Sequence, residues 1–426
     1  MIGRTMESAI QSPVEEKATP NETGHPASGM KVALLTGGMD RPYAFGLSLA
    51  LASKRIALDV LGAKELDSQE FHAFPNLTFR QTYGDQRRQV GLRKKLSRYL
   101  VSYARMICYA ATAKPRILHI LWNYKFQLFD RTLLMLYYKA LGKRIVFTAH
   151  NVNAAIRDGN ESAWNQWSLK AQYRLVDHIF VHTDKMKDEL CRLFGVAERN
   201  VSVIPFGVNN SVPDTKLTFA DARRTLGVQP AEKTILFFGG IRPYKGLEYL
   251  VAAFQAIAPL DKTYRLIIAG EPKKEAVQYW RDIQRTIECG QIREQVLQDI
   301  RFLADEETEI YFKAADVVVL PYTQVFQSGV LFLAYNFGLP VIATDVGSLR
   351  DDIIQGQTGY ICRPCDATDL ARAIDAYFKS DLFKTLDQRR AQIRSFARAR
   401  NSWDVVSDKT CSVYARLMAQ GNQRCQ

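Results

Sequence analysis

Short runs of apolar residues alternate along the chain with longer segments in which apolar positions recur every three or four residues. The short runs are rich in Val, Ile and Leu, as expected for strands buried on both faces, and the longer segments have the period of amphipathic helices. This alternation is typical of parallel α/β sheets. The predicted strands are 31–36, 56–61, 117–121, 145–148, 178–182, 201–205, 235–238, 266–269, 317–320 and 341–344. The clearest predicted helices are 44–53, 93–111, 247–257 and 277–288.

An interruption in this pattern divides the chain into two halves. Residues 209–215 are polar, contain a proline and fit neither period, which predicts a domain linker. Each half repeats the alternation of strands and helices, so we expect two doubly wound domains that face each other across a cleft. The predicted boundaries are a disordered tail at 1–29, a first domain at 30–208, a second domain at 209–402, and a C-terminal helix and tail at 403–426. We expect the last helix to pack on the surface.

The composition is that of an ordinary globular protein that does not cross a membrane. A chain of 426 residues is too long for one core, and 47% of the residues are apolar. No apolar run approaches the about 20 residues of a membrane span, and the N-terminal tail lacks the apolar segment of a secretory signal. Seven scattered cysteines indicate free thiols and a cytoplasmic location. Cys362 and Cys365 have the spacing of half a zinc or redox site, but no second pair stands nearby, which favours a plain loop.

The net charge of +13 is concentrated in residues 86–145. This window holds fourteen Lys and Arg and a single acidic residue, Asp130, and aromatic residues are interleaved with the cations. Two interpretations stay open: contact with an anionic membrane, at the inner face of the cell membrane, or a solvated helix face over core aromatics. Nucleic acid would suit the charge, but no binding motif accompanies it, so we expect no nucleic-acid partner.

A phosphate site is predicted where the strand at 235–238 ends. Gly239 and Gly240 allow a ligand to approach the backbone closely, and a helix begins near Gly246, where its N-terminus attracts anions. Arg242 can clamp two phosphate oxygens, and Lys245 adds a point charge. Fixed cations at this place would stabilise the charge that grows on a diphosphate leaving group. The alternative is a solvated turn before a helix.

A second segment, residues 327–347, favours the same chemistry. Ser328 is predicted to cap a buried apolar helix that ends at Gly338. The N-terminus of this helix would present the amides of Ser328, Gly329 and Val330, and Gly329 leaves room for a sugar or a phosphate. Taken in isolation, the segment could also be a plain buried helix.

The two segments, in this order and at this separation, resemble the donor half of family 4 glycosyltransferases of the GT-B fold. The match covers about residues 30–420, with weaker support at 148–151 and 203–208. The resemblance implies an α/β, GT-B architecture in which the first Rossmann-like domain binds the acceptor and the second binds a nucleotide sugar. It also implies a retaining, metal-independent hexosyl transfer that uses a nucleotide diphosphate sugar as co-substrate and no cofactor. In agreement, the chain contains no Asp-x-Asp triplet.

The resemblance also assigns roles to individual residues. Arg242 and Lys245 match the family's phosphate-binding cations, and His150 matches a histidine near the donor sugar. Gly37 and Gly38 match a glycine loop that faces the diphosphate and the acceptor. The predicted catalytic residues are therefore His150, Arg242 and Lys245, the predicted donor-binding residues are Gly37, Gly38, Gly240, Gln327, Ser328, Gly329 and Val330, and no metal ligand is predicted.

One departure from the family pattern concerns two glutamates, eight positions apart, that contact the donor sugar and its ribose in many members. Val325 and Leu333 stand at those positions, and neither side chain can form a hydrogen bond. The Gln-Ser-Gly-Val form resembles a variant subgroup in which Gln327 and backbone amides contact the sugar. We predict a glycosyltransferase that modifies an acceptor hydroxyl, with a lipid-linked or polysaccharide-precursor acceptor favoured by the basic window. The alternatives are a GT-B epimerase, a phosphorylase with bound pyridoxal phosphate, and a non-catalytic binding module.

Overall fold

Two parallel sheets form the framework, as seen in a computed structural model that describes residues 30–38, 41–84, 91–157, 161–208 and 212–422. The predicted disordered tail at 1–29 lies outside the described residues, as do Arg87 and Arg88 of the basic window and the first half of the predicted linker. None of the helices within the described ranges has the length and apolar character needed to cross a membrane.

The first sheet consists of seven parallel strands in the order β3-β2-β1-β4-β5-β6-β7. The strands are β1 (Lys31–Leu35), β2 (Ala57–Ala63), β3 (Leu77–Tyr83), β4 (Ile117–Ile120), β5 (Arg144–Thr148), β6 (His178–Val181) and β7 (Val201–Val203). The helices between them are α1 (Arg41–Ser53), α2 (Gln69–His72), α3 (Leu92–Thr112), α4 (Gln127–Arg131), α5 (Leu133–Ala140), α6 (Ala154–Arg157), α7 (Ala163–Leu175) and α8 (Asp184–Phe194). The strand order reverses between β1 and β4, so a crevice opens at their carboxyl ends.

The second sheet consists of six parallel strands in the order β10-β9-β8-β11-β12-β13. The strands are β8 (Lys233–Phe238), β9 (Tyr264–Ala269), β10 (Val296–Asp299), β11 (Val317–Leu320), β12 (Val341–Thr344) and β13 (Gly359–Cys362). The helices are α9 (Phe219–Leu226), α10 (Leu247–Ile257), α11 (Val277–Cys289), α12 (Asp305–Ala314), α13 (Gly329–Asn336), α14 (Ala367–Lys379), α15 (Asp381–Lys384) and α16 (Leu386–Asn401). Here the order reverses between β8 and β11, which places their loops at the second crevice. The predicted pair of doubly wound domains is confirmed.

Successive side chains of a strand point to opposite faces of the sheet, so the apolar residues of the first sheet pack into two cores, one on each face. In β1, Ala33 and Leu35 face the core beneath α3, α5 and α7, whereas Val32 and Leu34 face the core beneath α1. All four side chains are at most 4% exposed. A parallel sheet covered by helices on both faces requires this continuous apolar character, which is why these strands were readable in the sequence.

The last helix, α17 (Trp403–Asn422), lies on the surface with one apolar face buried, as predicted, but the domain that it covers was not predicted. It leaves the second domain and crosses back to the first, where Val406 and Tyr414 are fully buried against α1. The Tyr414 hydroxyl lies 2.5 Å from Nδ1 of His119 in β4, and the Trp403 indole nitrogen donates to the Val208 carbonyl at 2.9 Å. The first domain is therefore assembled from two segments that the second domain separates in sequence.

Candidate functional site

A cavity of about 460 Å³ lies between the carboxyl ends of the two sheets. Its lining residues are Pro42, Tyr43, Trp122, His150, Asn151, Phe206 and Gly207 on the first domain, Trp403 of α17, and Val212, Phe238, Tyr244, Lys245, Leu303, Asp305, Thr308, Tyr322, Val325, Gln327, Ser328, Gly329, Val330 and Leu333 on the second-domain side. The predicted cleft is therefore present, and both reversal points of strand order open into it.

Lys245 lies in the second-domain wall of this cleft. It ends a 3₁₀ turn, Pro243–Lys245, after which Gly246 adopts a φ of 63° and leads into α10. The Lys245 side chain is buried; its Nζ lies 3.5 Å from the Phe238 carbonyl oxygen and 5.7 Å from the centre of the Tyr322 ring. Burial is the largest of the causes that lower the pKa of Lys245 to about 8. Because water solvates this ammonium so little, a bound anion would stabilise its charge strongly.

Two further cations, Arg242 and Lys273, stand close enough to Lys245 for their charges to lower its pKa as well. Arg242 is one-third exposed, and its Nη2 lies 3.6 Å from a carboxylate oxygen of Glu275. Lys273 follows β9, and a Cβ placed on Gly240 would lie only 3.1 Å from its Cε. The turn therefore brings three cations together, one more than the sequence predicted.

The N-terminus of α13 approaches the same place. A Cβ placed on Gly239 would lie 3.0 Å from Nζ of Lys245 and 3.9 Å from Cγ2 of Val330, so the ammonium and the first turn of α13 adjoin each other. The predicted capping by Ser328 is wrong: its side chain forms no cap, and its Oγ lies 3.3 Å from the Tyr322 hydroxyl. Because no side chain caps this end, its first amides can receive an anionic ligand.

Gln327 presents an unpartnered oxygen at the cleft. Its amide nitrogen donates to the Asp352 carboxylate at 3.3 Å, whereas its Oε1 is buried without a hydrogen-bond partner among the described residues. Burial raises the pKa of Asp352 to about 6. The bond from Gln327 to Asp352 fixes the orientation of the amide, and it leaves Oε1 as an acceptor for a hydroxyl group.

His150 belongs to a chain of imidazoles whose tautomers can be worked out. Nδ1 of His182 lies 3.3 Å from the Ile204 carbonyl oxygen and must carry a proton, so its Nε2 accepts from Nδ1 of His150 at 3.0 Å. Burial lowers the pKa of His182 to about 4 and that of His150 well below 6.5, so both rings are neutral. Nε2 of His150 is then a lone-pair acceptor, and it has no partner among the described residues.

Trp122 holds His150 in place. The two rings are stacked with centroids 4.1 Å apart and planes 2° from parallel, and Tyr43 meets His150 edge-on at 4.6 Å. Gly37 permits this arrangement, since its φ is +62° and a Cβ would fall 2.5 Å from the Trp122 carbonyl oxygen. Gly38 also has a positive φ, of 70°. The glycine pair thus supports the cleft wall from behind.

The predicted site residues divide into two groups. His150, Lys245, Gln327, Ser328, Gly329 and Val330 line the cavity. Gly37, Gly38, Gly240 and Arg242 do not line it; they shape or flank the turns that do. Sequence reasoning missed Lys273, although it follows β9 through Gly270 in the same succession of strand, glycine and cation that had identified Arg242.

Val325 and Leu333 both line the cavity, so its wall is apolar at the two positions where the family resemblance would place glutamates. Asp305 is the only carboxylate among the described lining residues, and its Oδ2 pairs with Nη1 of Arg41 at 2.9 Å. This ion pair joins the two domains across the cleft. A paired carboxylate of this kind is poorly placed to attack a substrate.

The cysteine pair proves unconnected with the cleft. Cys362 is buried at the end of β13, where burial raises the pKa of its thiol to about 12, and Cys365 is exposed. Within the described ranges, no three His, Cys, Asp or Glu side chains are arranged to hold a metal ion.

Two family models match the chain, one for each domain. The model described as Glycosyltransferase Family 4 matches residues 36–212, and the model described as Glycosyl transferases group 1 matches residues 232–380. Among curated relatives, an uncharacterized glycosyltransferase of Methanocaldococcus jannaschii is 30% identical over 238 residues, 55% of this chain and 58% of the relative. The D-inositol 3-phosphate glycosyltransferase of Corynebacterium diphtheriae is 28% identical over 286 residues, 63% of this chain and 64% of the relative. The chain thus spans about six tenths of the length of these relatives.

Solved structures share the fold over nearly the whole chain. HepE of Anabaena, in complex with UDP and glucose, superposes with a TM-score of 0.70 at 17% identity and covers 91% of this chain and 100% of its own. Sucrose-phosphate synthase of Thermosynechococcus elongatus has a TM-score of 0.71 at 20% identity, with 92% and 100% covered. At these identities the likeness establishes the two-domain GT-B fold alone.

Proposed function

Because the chain belongs to the family 4 and group 1 glycosyltransferases, we propose that it transfers a sugar from a nucleoside diphosphate donor to an acceptor hydroxyl. The observation that carries this proposal is the position of Lys245, buried beside the uncapped N-terminus of α13. The neighbouring fold of Anabaena HepE holds UDP-glucose, which supports a nucleotide sugar as donor.

The cation cluster supplies the proposed catalytic effect. As the bond between sugar and phosphate breaks, negative charge grows on the diphosphate, and Lys245, Arg242 and Lys273 stabilise that charge more than they stabilise the intact donor. The amides at the start of α13 add fixed dipoles of the same sign. Since these groups can neutralise a diphosphate themselves, we propose that the reaction needs no divalent metal.

The sugar would be held by acceptors of hydrogen bonds. Nε2 of His150 and Oε1 of Gln327 are both unpartnered in the described structure, and each can accept a proton from a sugar hydroxyl. Val325 and Leu333 leave the rest of this wall apolar. This arrangement would select a donor sugar with few polar groups on the side that faces those two residues.

Retention of configuration is the stereochemical outcome that we propose. Its support is the scarcity of a nucleophile: Asp305, the carboxylate of the described lining, is paired with Arg41. Attack by the acceptor on the face from which the diphosphate departs would give retention without a covalent intermediate. The departing phosphate oxygen would then accept the acceptor's proton.

The acceptor is proposed to bind the first domain, as a lipid-linked or polysaccharide-precursor molecule. The basic window of residues 86–145 supports this part of the proposal, because anionic carriers would be attracted to it.

Substitution of the cluster tests the function. We expect Lys245→Ala and Arg242→Ala each to lower turnover by about a hundredfold or more, because each removes a contact to the leaving-group charge. Release of nucleoside diphosphate from a panel of donors gives the readout, after a thermal-shift screen with nucleoside diphosphates has identified the base. Lys274→Ala is the matched control, since Lys274 is exposed on the neighbouring turn. Near-normal rates in both cluster variants would refute the assigned roles.

The same assay separates the alternative functions. An epimerase would change the donor sugar without an acceptor, and a phosphorylase would show near-ultraviolet absorbance from pyridoxal phosphate. A binding module would shift its melting temperature with a nucleoside diphosphate but would never release one from a donor.

A further inference from the structure

Exposed apolar side chains are concentrated on one part of the first domain. Of the sixteen large apolar side chains exposed in the described structure, eleven lie between Leu96 and Trp167. Trp164 is 71% exposed and Trp167 is 54% exposed, and their rings lie 6.1 Å apart. Such a concentration is unusual on a soluble monomer and marks an interaction surface.

The helices that carry these side chains adjoin one another. Phe126, just before α4, packs its ring against Tyr99 and Tyr103 of α3. At its other end, α4 contacts α7, where Nη1 of Arg131 binds Asn165 Oδ1 at 2.8 Å. The exposed side chains of these three helices form what we call the apolar face: Leu96, Leu100, Phe126, Leu128, Trp164 and Trp167.

Cations flank the α3 side of this face, whereas on the α7 side Glu161 is exposed three residues before Trp164. Arg93, Lys94 and Lys95 are exposed in the first turn of α3, and the charge of Lys95 helps, after burial, to lower the pKa of Lys125. In the described residues 91–157 the single acidic residue is Asp130, and it is 3% exposed. An apolar patch with a cationic rim matches an acyl layer beneath anionic head groups.

We propose that the apolar face docks on an anionic lipid bilayer, with the Trp164 and Trp167 rings at the level of the head groups and the first turn of α3 against their phosphates. Indole rings suit this depth because they are apolar with one polar edge. A second copy of the chain is a poorer occupant. In a two-fold dimer the same surface meets itself, so the cationic rims would face and repel each other.

Docking of this kind would set the orientation of the cleft. The segment 122–126 runs from Trp122, which stacks on His150 in the cleft, to Phe126 on the apolar face. Only three residues separate the two side chains. An acceptor with its acyl chains in the bilayer and its hydroxyl near His150 would therefore follow this segment; this part of the inference rests on the proposed function, whereas docking itself does not.

Vesicle co-sedimentation of the full chain tests the docking. We expect binding to vesicles of phosphatidylcholine mixed with phosphatidylglycerol at low salt, and much weaker binding to phosphatidylcholine alone. Lys94→Glu combined with Lys95→Glu should weaken binding by at least tenfold, given about fivefold for each cation removed from the surface. Trp164→Ser combined with Trp167→Ser should also weaken it. The matched control is Leu260→Ser, since Leu260 is 85% exposed on the second domain.

A spectroscopic readout covers the case of a variant that folds poorly. Tryptophan emission of the unaltered chain should shift to the blue on addition of anionic vesicles, and the shift should be absent from a Trp164→Phe and Trp167→Phe double variant of normal melting temperature. Docking is overturned if the chain does not bind anionic vesicles at low salt. It is also overturned if Leu260→Ser weakens binding as much as the Lys94 and Lys95 or the Trp164 and Trp167 substitutions do. It is equally overturned if those variants abolish self-association instead of vesicle binding.

These results are distinguishable from a failure of the proposed function. Sedimentation requires no turnover, so sugar transfer could be lost while docking persists. Conversely, a chain that turns over its donor without binding vesicles would retain the proposed function and lose only the docking surface.

Discussion

Replacement of Lys245 by Met should make the protein more stable and catalytically inert. Met has a similar length and no charge, so it removes the cost of burying an ammonium while it fills much of the same space. The pKa of Lys245 is lowered from 10.5 to about 8, chiefly by burial. At 1.36 kcal/mol for each pH unit, this difference makes the charged side chain unfavourable to folding by about 3 kcal/mol at pH 7.

The stability gained by Lys245→Met should depend on pH, and the pKa of Lys245 fixes the direction of that dependence. The pKa of Lys245 is lower in the folded than in the unfolded chain, so the unfolded chain holds more protons than the folded chain between about pH 8 and pH 10.5. Stability therefore rises with pH across this window. The penalty is therefore complete below about pH 8 and fades as the pH rises towards 10.5. The advantage of Lys245→Met should fall from about 3 kcal/mol at pH 7 to about half of that at pH 9.5.

Thermal unfolding at these two pH values is the assay, with donor turnover measured in parallel. For a domain of this size we expect a rise of about 5–10 °C at pH 7. Lys274→Met serves as control because Lys274 is exposed nearby, and it should change neither quantity. A Lys245→Met variant that melts at or below the unaltered chain at pH 7 would refute the claim that burial penalises this lysine. Retained turnover would refute its role in catalysis.

Two further predictions concern the first domain. Burial raises the pKa of Asp130 from 3.8 to about 6, so the charged carboxylate destabilises the folded chain at neutral pH and this penalty is lost as the pH falls from 6 to 3.8. Asp130→Asn should therefore melt higher than the unaltered chain at pH 7.5, with most of that advantage gone at pH 4. An advantage that is the same at both pH values would contradict this account. Gly37→Ala should cost about 2 kcal/mol and lower turnover, because its Cβ would lie 2.5 Å from the Trp122 carbonyl oxygen at a φ of +62°. Thermal unfolding and nucleoside diphosphate release check it, and an unchanged melting temperature would mean that the Trp122 turn yields freely.

The buried strands could be predicted because their apolar character is continuous. Three strands of the structure were not predicted. These are β3, β10 and β13, and each is an edge strand; of the four edge strands, only β7 was predicted. An edge strand is paired on one side only and carries more polar residues, such as Arg80 and Gln81 in β3, so its apolar run is short. Their positions follow from the sheet order, which no local pattern contains.

The candidate site divides in a similar way. Lys245 and the start of α13 were predictable because a strand end, a glycine and a helix start are adjacent in sequence. The pairing of His150 with His182 and its stacking on Trp122 were not, since these residues stand on three different strand ends. The roles carried by the family resemblance placed His150 at the cleft, but its tautomer follows only from the Ile204 carbonyl oxygen.

The crossing of α17 to the first domain has a consequence for synthesis. Gly46 and Gly207 are so close to the Trp403 ring that a Cβ on either would lie within 2.5 Å of it, which shows how tightly the end of the chain is seated there. While a ribosome is still making the second domain, α1 has no partner for its apolar side. The domain that is translated first is therefore completed only after the second domain has been made, and a nascent chain has to keep that groove from aggregation until α17 emerges.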